Sequence, residues 1–163
     1  MLSISFVDDD GIHQICELAR TIWNEYYPCI LTTGQIEYMV HSYQSEDAVY
    51  RQVHEKGYQY AYIENDGQVI GYTAVCPMKD KLFLSKFYLT KENRGRGLGS
   101  AALQEIIAYA RSLGKKYIYL TVNKNNELGI RAYTRNGFKS IQSIETDIGQ
   151  GFVMDDYVME LVL

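Results

Sequence analysis

The succession of apolar patterns predicts a single α/β domain over residues 1–163, with a central, mostly antiparallel mixed sheet flanked by helices. Three observations carry this. Asn65-Asp66-Gly67 lies between two alternating apolar runs, a strong hairpin signal. The run 82–89 leads through three closely spaced glycines into a helical pattern ending at Leu113, and a strand pattern at 117–122 follows. That strand–helix–strand unit supplies the parallel pair of the sheet. The tail reads as strands 138–145 and 152–162, joined through Gly149 and Gly151.

The elements follow in order. Ile4 and Phe6 alternate with polar neighbours as a first strand. Asp8 to Asp10 can cap a helix with Ile12, Ile15, Cys16, Ala19, Ile22 and Trp23 on one side, and Tyr27-Pro28 breaks it. Thr32 and Gln35 read as a capping box for a short helix bearing Ile36, Met39 and Val40. Ser45 opens another helix, towards His54, and strands at 58–63 and 69–75 flank the hairpin turn. Gly114 stops the long helix that starts at Leu98. In the next strand Ile118, Leu120 and Val122 share one face, and Tyr117, Tyr119 and Thr121 the other. A short helix with Ala132 and Tyr133 follows Asn125-Asn126 and ends at Asn136-Gly137. No linker, repeat or low-complexity stretch divides the chain.

Composition narrows the function classes. A chain of 163 residues supports one substantial core. The net charge of -4, with basic residues scattered, argues against nucleic acid as partner. No apolar run reaches membrane-spanning length, and the first residues are acidic where a secretory leader would be basic, so a cytoplasmic protein without a membrane partner is expected. Cys16, Cys29 and Cys76 have no metal-like spacing; Cys16 and Cys76 are expected to be buried and inert, and Cys29 lies in a loop. His13, His41 and His54 make no ligand cluster, and no metal is expected.

The segment Asn93-Arg94-Gly95-Arg96-Gly97-Leu98-Gly99-Ser100 carries chemistry as well as folding information. Missing Cβ atoms let the backbone approach a ligand, and the N–H groups of a helix start, with the dipole behind them, suit a phosphate or pyrophosphate. Arg94 and Arg96 are expected to add mobile positive charge at the rim. The segment is not a P-loop, since no Lys-Ser or Lys-Thr pair follows the last glycine. Nor is it the dinucleotide fingerprint, whose third glycine comes later and whose place is the first strand–helix unit. An exposed turn whose glycines merely cap a helix is the alternative.

Taken together, the motifs resemble those of the GCN5-related N-acetyltransferase superfamily. Arg94, Gly97 and Gly99 fit its acyl-coenzyme-A signature of Arg or Gln, two residues, Gly, one residue, then Gly or Ala. Asn126, Tyr133, Gly137 and Phe138 fit its second motif, with Gly129 where many members carry Ala, a departure expected to touch packing more than chemistry. The likeness runs from the first strand to Asp156-Tyr157-Val158-Met159 in the last.

The resemblance implies a transfer of the acetyl group of acetyl-coenzyme A, the cosubstrate, directly to a primary amine. The aromatic cluster from Trp23 to Tyr27 points to a small acceptor, and the acidic balance of the chain to a cationic one. It implies a V-shaped gap beside the strand before the glycine turn, with pantetheine pairing along the backbone of Phe87, Tyr88 and Leu89. The cofactor-binding segment runs through Arg94, Gly95, Arg96, Gly97, Leu98, Gly99 and Ser100, with Asn126 and Tyr133 completing it. On this resemblance a backbone N–H near Leu89 is the expected oxyanion donor, and Tyr133 is expected to protonate the leaving thiolate. Glu25, beside Trp23, Tyr26 and Tyr27, is the candidate general base and cation site; Tyr60 and Tyr72 are candidate acceptor-binding residues, and His41 a further candidate. A peptide or protein acetyltransferase and a non-catalytic acetyl-coenzyme-A sensor stay open as alternatives. Relatives of this kind are frequently dimers, and the 147–151 hairpin is the expected interface element.

Overall fold

Caps and turns set most of the element boundaries in the computed structural model, which describes residues 1–163. Asp8 accepts a hydrogen bond from the Asp10 N–H ahead of helix α1 (Ile12–Tyr26). Thr32 caps α2 (Thr33–Tyr43) through the Gln35 N–H, and Ser45 caps α3 (Glu46–Lys56) through the Ala48 N–H. Only half of the expected capping box forms, because the Gln35 amide donates instead to the carbonyl of Val153 at 3.1 Å. Strands β1 (Leu2–Phe6), β2 (Gln59–Asn65) and β3 (Gln68–Pro77) come before β4 (Lys81–Leu89). The β2–β3 turn holds Asp66 and Gly67 at φ 51° and 78°, the left-handed pair that a two-residue hairpin turn of this twist requires. Helix α4 (Leu98–Ser112), β5 (Tyr117–Asn123), α5 (Glu127–Arg135), β6 (Lys139–Gly149) and β7 (Phe152–Val162) complete the chain. Strand β6 runs further than expected, up to the Gly149 turn.

All seven strands form one sheet in the order β1-β2-β3-β4-β5-β7-β6, and only β4–β5 is parallel. Two cores lie on its opposite faces. Ile15, Ile22 and Trp23 of α1 and Ile36 and Met39 of α2 pack on Tyr60, Tyr72 and Ala74. Leu103, Ile106 and Ile107 of α4 pack on Leu82, Leu84, Ile118, Leu120 and Met159. The face assignment for β5 holds, with Ile118, Leu120 and Val122 buried. Cys16 and Cys76 are buried, as expected, and Cys29 is exposed; burial pushes the Cys16 thiol up to about 11. No helix is long and apolar enough to cross a membrane.

Candidate active site

The site begins where the parallel pair fails. β4 and β5 pair only from Lys81↔Tyr117 to Phe83↔Tyr119, after which the strands separate although β4 continues to Leu89. Ser85 is a bulge on β4: Leu84 stands opposite Val75 and Lys86 opposite Ala74, so two steps on β4 answer one on β3. Further on, the Thr90 N–H donates to the Ile70 carbonyl at 2.8 Å. Hydrogen-bonded and non-bonded pairs alternate in an antiparallel ladder, so Leu89, opposite Gly71, turns its N–H and C=O towards the opened side. The same alternation turns Phe87 that way. Gly71 makes this rung fit: a Cβ there would lie 2.1 Å from the Tyr88 carbonyl oxygen and 3.0 Å from the Leu89 Cα.

Arg94 is a fixed element of the site, contrary to the expectation of mobile rim charge. Its Nε donates to the Leu89 carbonyl at 2.9 Å, and its guanidinium stands 4.8 Å from the centre of the Tyr26 ring. One terminal nitrogen of that guanidinium is buried without a partner in the protein, an unused donor on a cation. Arg96 is exposed, and the Leu98 side chain packs against the Ile63, Leu89 and Ala102 cluster, so their backbones are what they present to the turn. Gly97, the N-cap of α4, has φ 77°, left-handed backbone that favours glycine. Gly95, Gly97, Gly99 and Ser100 border one cavity of about 740 Å³ with Phe87, Leu89 and Arg94. The unused donor, the free strand edge and the glycine-lined helix start fit an anionic, amide-bearing arm such as that of acetyl-coenzyme A.

Across the gap from β4, α5 lines the same cavity with Tyr133, Arg131 and Arg135. Tyr133 lies 6.3 Å from Phe87 and 5.7 Å from Phe138, ring centre to ring centre. Burial pushes its phenol up, with no hydrogen bond offsetting that cost. Asn126 caps α5 by accepting from the Gly129 N–H at 2.9 Å, and the same oxygen accepts from the Tyr26 hydroxyl at 2.6 Å. A Cβ on Gly129 would come within 2.7 Å of the Asn126 amide nitrogen, so the departure at Gly129 bears on a site residue and not on packing alone.

The other end of the cavity is aromatic. Trp23 and Tyr26 of α1, Tyr27 just past its end and Tyr88 of β4 line it, with the Tyr27 and Tyr88 hydroxyls 2.6 Å apart. Tyr60 and Tyr72 do not line it: they are 1% and 0% exposed and form its supporting floor. Trp23 Nε1 donates to the Tyr72 hydroxyl at 2.7 Å, Tyr72 to Gln44 at 2.8 Å, and Gln44 to the Tyr60 hydroxyl at 3.2 Å. Tyr72 stacks on Tyr88 at 5.5 Å, which couples that floor to the wall.

Glu25 is also misplaced by the sequence reading. It is exposed and lies outside the cavity, because two residues beyond Trp23 a helix has turned about 200°. His41 is exposed on α2 and is likewise absent from the lining. The carboxylate of the site is Asp156, on β7 opposite Asn123, 3% exposed and the only acidic side chain that borders the cavity. Its Oδ1 has no hydrogen-bond partner, and burial pushes its pKa up to about 6. Asp155-Asp156 in the middle of an apolar strand was the available signal.

Lys86 was missed as well. It borders the cavity, half-buried, with the Ser85 hydroxyl 2.7 Å from its Nζ. Leu31, Met39 and Met154 complete the apolar wall. α2 reaches the β6–β7 hairpin there, through Tyr38 to the Ile148 carbonyl and a Tyr38–Phe152 ring contact at 5.3 Å.

Comparison with known proteins agrees with this architecture. The PaiA N-acetyltransferase from Thermoplasma acidophilum, solved in complex with coenzyme A, superposes over 100% of this chain and 99% of its own, with a TM-score of 0.81 at 22% identity. An uncharacterised N-acetyltransferase of Mycobacterium tuberculosis is 32% identical over 96 residues, 58% of this chain and 61% of its own. A probable spermine N(1)-acetyltransferase of Bacillus subtilis subsp. natto is 38% identical over 60 residues, 36% of this chain and 40% of its own. The chain thus spans about 61% of the length of the first of these curated relatives and less of the second. The family model for GNAT acetyltransferases matches residues 15–138, and the chain belongs to that family.

Proposed function

We propose that the protein transfers the acetyl group of acetyl-coenzyme A directly to the primary amine of a small molecule. One observation carries the reading: a single cavity is bordered by the glycine turn, the free edge of β4, Tyr133 and the unpartnered carboxylate of Asp156. Acetyl-coenzyme A supplies an activated acyl group and a thiol leaving group. The turn from Gly95 to Ser100 and the spare Arg94 donor hold its pyrophosphate, and the backbone of Phe87 and Leu89 receives its amide-bearing arm.

Each polar group then has one task. Asp156, ionised at neutral pH yet more basic than an ordinary aspartate, takes the proton that an ammonium must lose before it attacks. The Leu89 N–H, fixed by the rung at Gly71, donates to the oxygen on which negative charge builds. Tyr133, a neutral phenol at this pH, donates its proton to the departing sulfur and regains one from the nitrogen as the amide forms, so that the ammonium's two lost protons go to Asp156 and, through Tyr133, to the thiol. The α2–hairpin contact narrows the acceptor side, which favours a small amine over a peptide in an open groove.

The test is acceptor-dependent release of coenzyme A from acetyl-coenzyme A, measured across polyamines, amino acids, aminoglycosides and short peptides, with the acetylated product identified by mass. Release with at least one amine is expected. Saturable acetyl-coenzyme-A binding with no turnover across the panel would favour a sensor domain, and absence of binding would overturn the cosubstrate assignment.

A further inference from the structure

The charges of the cavity sort its acceptors further. Five cationic side chains border it: Arg94 before the glycine turn, Arg131 and Arg135 of α5, Lys56 at the end of α3 and Lys86 of β4. Asp156 alone opposes them. Lys86 has no carboxylate within ion-pairing distance, since the ion pairs of the molecule are all made by other residues. Its one side-chain partner is the neutral Ser85 hydroxyl. A half-buried ammonium left this way carries a desolvation cost that an anion would offset.

The bulge at Ser85 is what brings it there. Leu84 stands opposite Val75 of the α4-side core, whereas Lys86 stands opposite Ala74 of the α1-side core. Without the extra residue, Lys86 would share the face of Leu82 and Leu84 and be aimed at α4.

Resting on the transferase reading above, we propose that the acceptor is an amino acid, or a similarly small amine bearing a carboxylate, and that Lys86 binds this carboxylate. Lys86 and Asp156 are opposite charges that face one cavity without pairing with each other, the arrangement a zwitterion bridges: ammonium to Asp156, carboxylate to Lys86. Tyr27, Tyr88, Leu31 and Met154 give the acceptor's side chain an apolar wall. A polyamine would instead add its positive charges to a lining already rich in cations. On this proposal the local balance of the pocket, and not the acidic balance of the whole chain, selects the acceptor. Burial pulls the Lys86 amine down to about 8, which leaves it mostly protonated at neutral pH and ready to be raised by an anion.

The experiment compares wild-type kcat/KM for amino acids with their carboxamides and their decarboxylated amines, acetyl-coenzyme A being saturating. The acids are expected to be better substrates by about 10- to 100-fold, the range of a charge-assisted hydrogen bond. Lys86→Met is expected to remove that preference while leaving the carboxamides within about threefold and the KM for acetyl-coenzyme A unchanged, and Lys86→Arg to restore part of it. Should Lys86→Met not fold, the wild-type comparison decides alone. Carboxamides or polyamines used as well as the acids would overturn the proposal and leave the transferase reading standing. No turnover of any amine by protein that binds acetyl-coenzyme A would overturn that reading, and the proposal with it.

Discussion

Asp156 shows what a single residue costs and gains at this site. Folding raises its pKa from the ordinary 3.8 to about 6, so the native state binds its proton more tightly than the unfolded chain does. The stability this group contributes is therefore fully present below pH 3.8 and is lost as pH rises through 6. Asp156→Asn removes the ionisation and is expected to stabilise the protein by up to about 3 kcal/mol at pH 8, a gain that shrinks from pH 6 towards 4. Urea midpoints at pH 8 and 4.5 check this, and equal midpoints for the two proteins at pH 8 would contradict the buried ionisation. The same variant is expected to abolish the acidic limb near pH 6 in kcat/KM for the acceptor. In the proposed reaction Tyr133 acts at the other end. Tyr133→Phe is expected to lower kcat by about 100-fold while acetyl-coenzyme-A affinity stays within a factor of about 3, as for a lost general acid. A matching loss of affinity, read by isothermal titration, would instead assign the ring a binding role. The two residues are not equally legible in the sequence. Tyr133 sits in a spaced motif, whereas Asp156 gains its environment only because β7 is inserted between β5 and β6.

At the scale of elements, sequence legibility followed local chemistry. Asn65-Asp66-Gly67, Thr32, Ser45 and Gly114 act within a few residues of themselves, so turn and cap preferences found them. Face assignment failed where a distant strand or a bulge changed the period. Tyr60 and Tyr72 are tyrosines on the hairpin strands, and whether their face is pocket or floor depends on α1 and α3 packing above it. Lys86 was hidden by Ser85, since strict alternation puts it on the wrong side of β4. The rung Gly71↔Leu89 offers a direct test of how β3 aims the end of β4. Gly71→Ala places a Cβ against backbone that cannot swing aside, and is expected to destabilise by about 2–3 kcal/mol. Chemical denaturation measures it; a loss below about 0.5 kcal/mol would mean that the strands can part there without cost.

The whole molecule is two half-sheets joined by a short parallel contact. β1 to β4 with α1 to α3 form one part, and β5, β7 and β6 the other; the ladder between them is limited to the pairs from Lys81↔Tyr117 to Phe83↔Tyr119, and the core under α4 packs across the join. The long-range consequence was partly readable, because the resemblance implied a gap beside β4, but the number of rungs was not. A ligand lying in that gap touches both halves and stabilises their union. Acetyl-coenzyme A at about 100 times its dissociation constant is expected to add about 2.7 kcal/mol, a rise in Tm of about 5–10 °C for a chain of this size. An unchanged Tm at saturating acetyl-coenzyme A would argue against binding across the gap.

The same division sets an order in time. The buried core under α1 draws on residues 12 to 74, all of them synthesised before the first residue of β5. The core under α4 must wait, because Leu82 and Leu84 find Ile118, Leu120 and Met159 only once the last strand is made. A chain emerging N-terminus first thus passes through an interval in which every residue of the first core is present while the apolar underside of β4 still lacks its partners. That interval, more than the final stability, is where a chaperone would find something to hold.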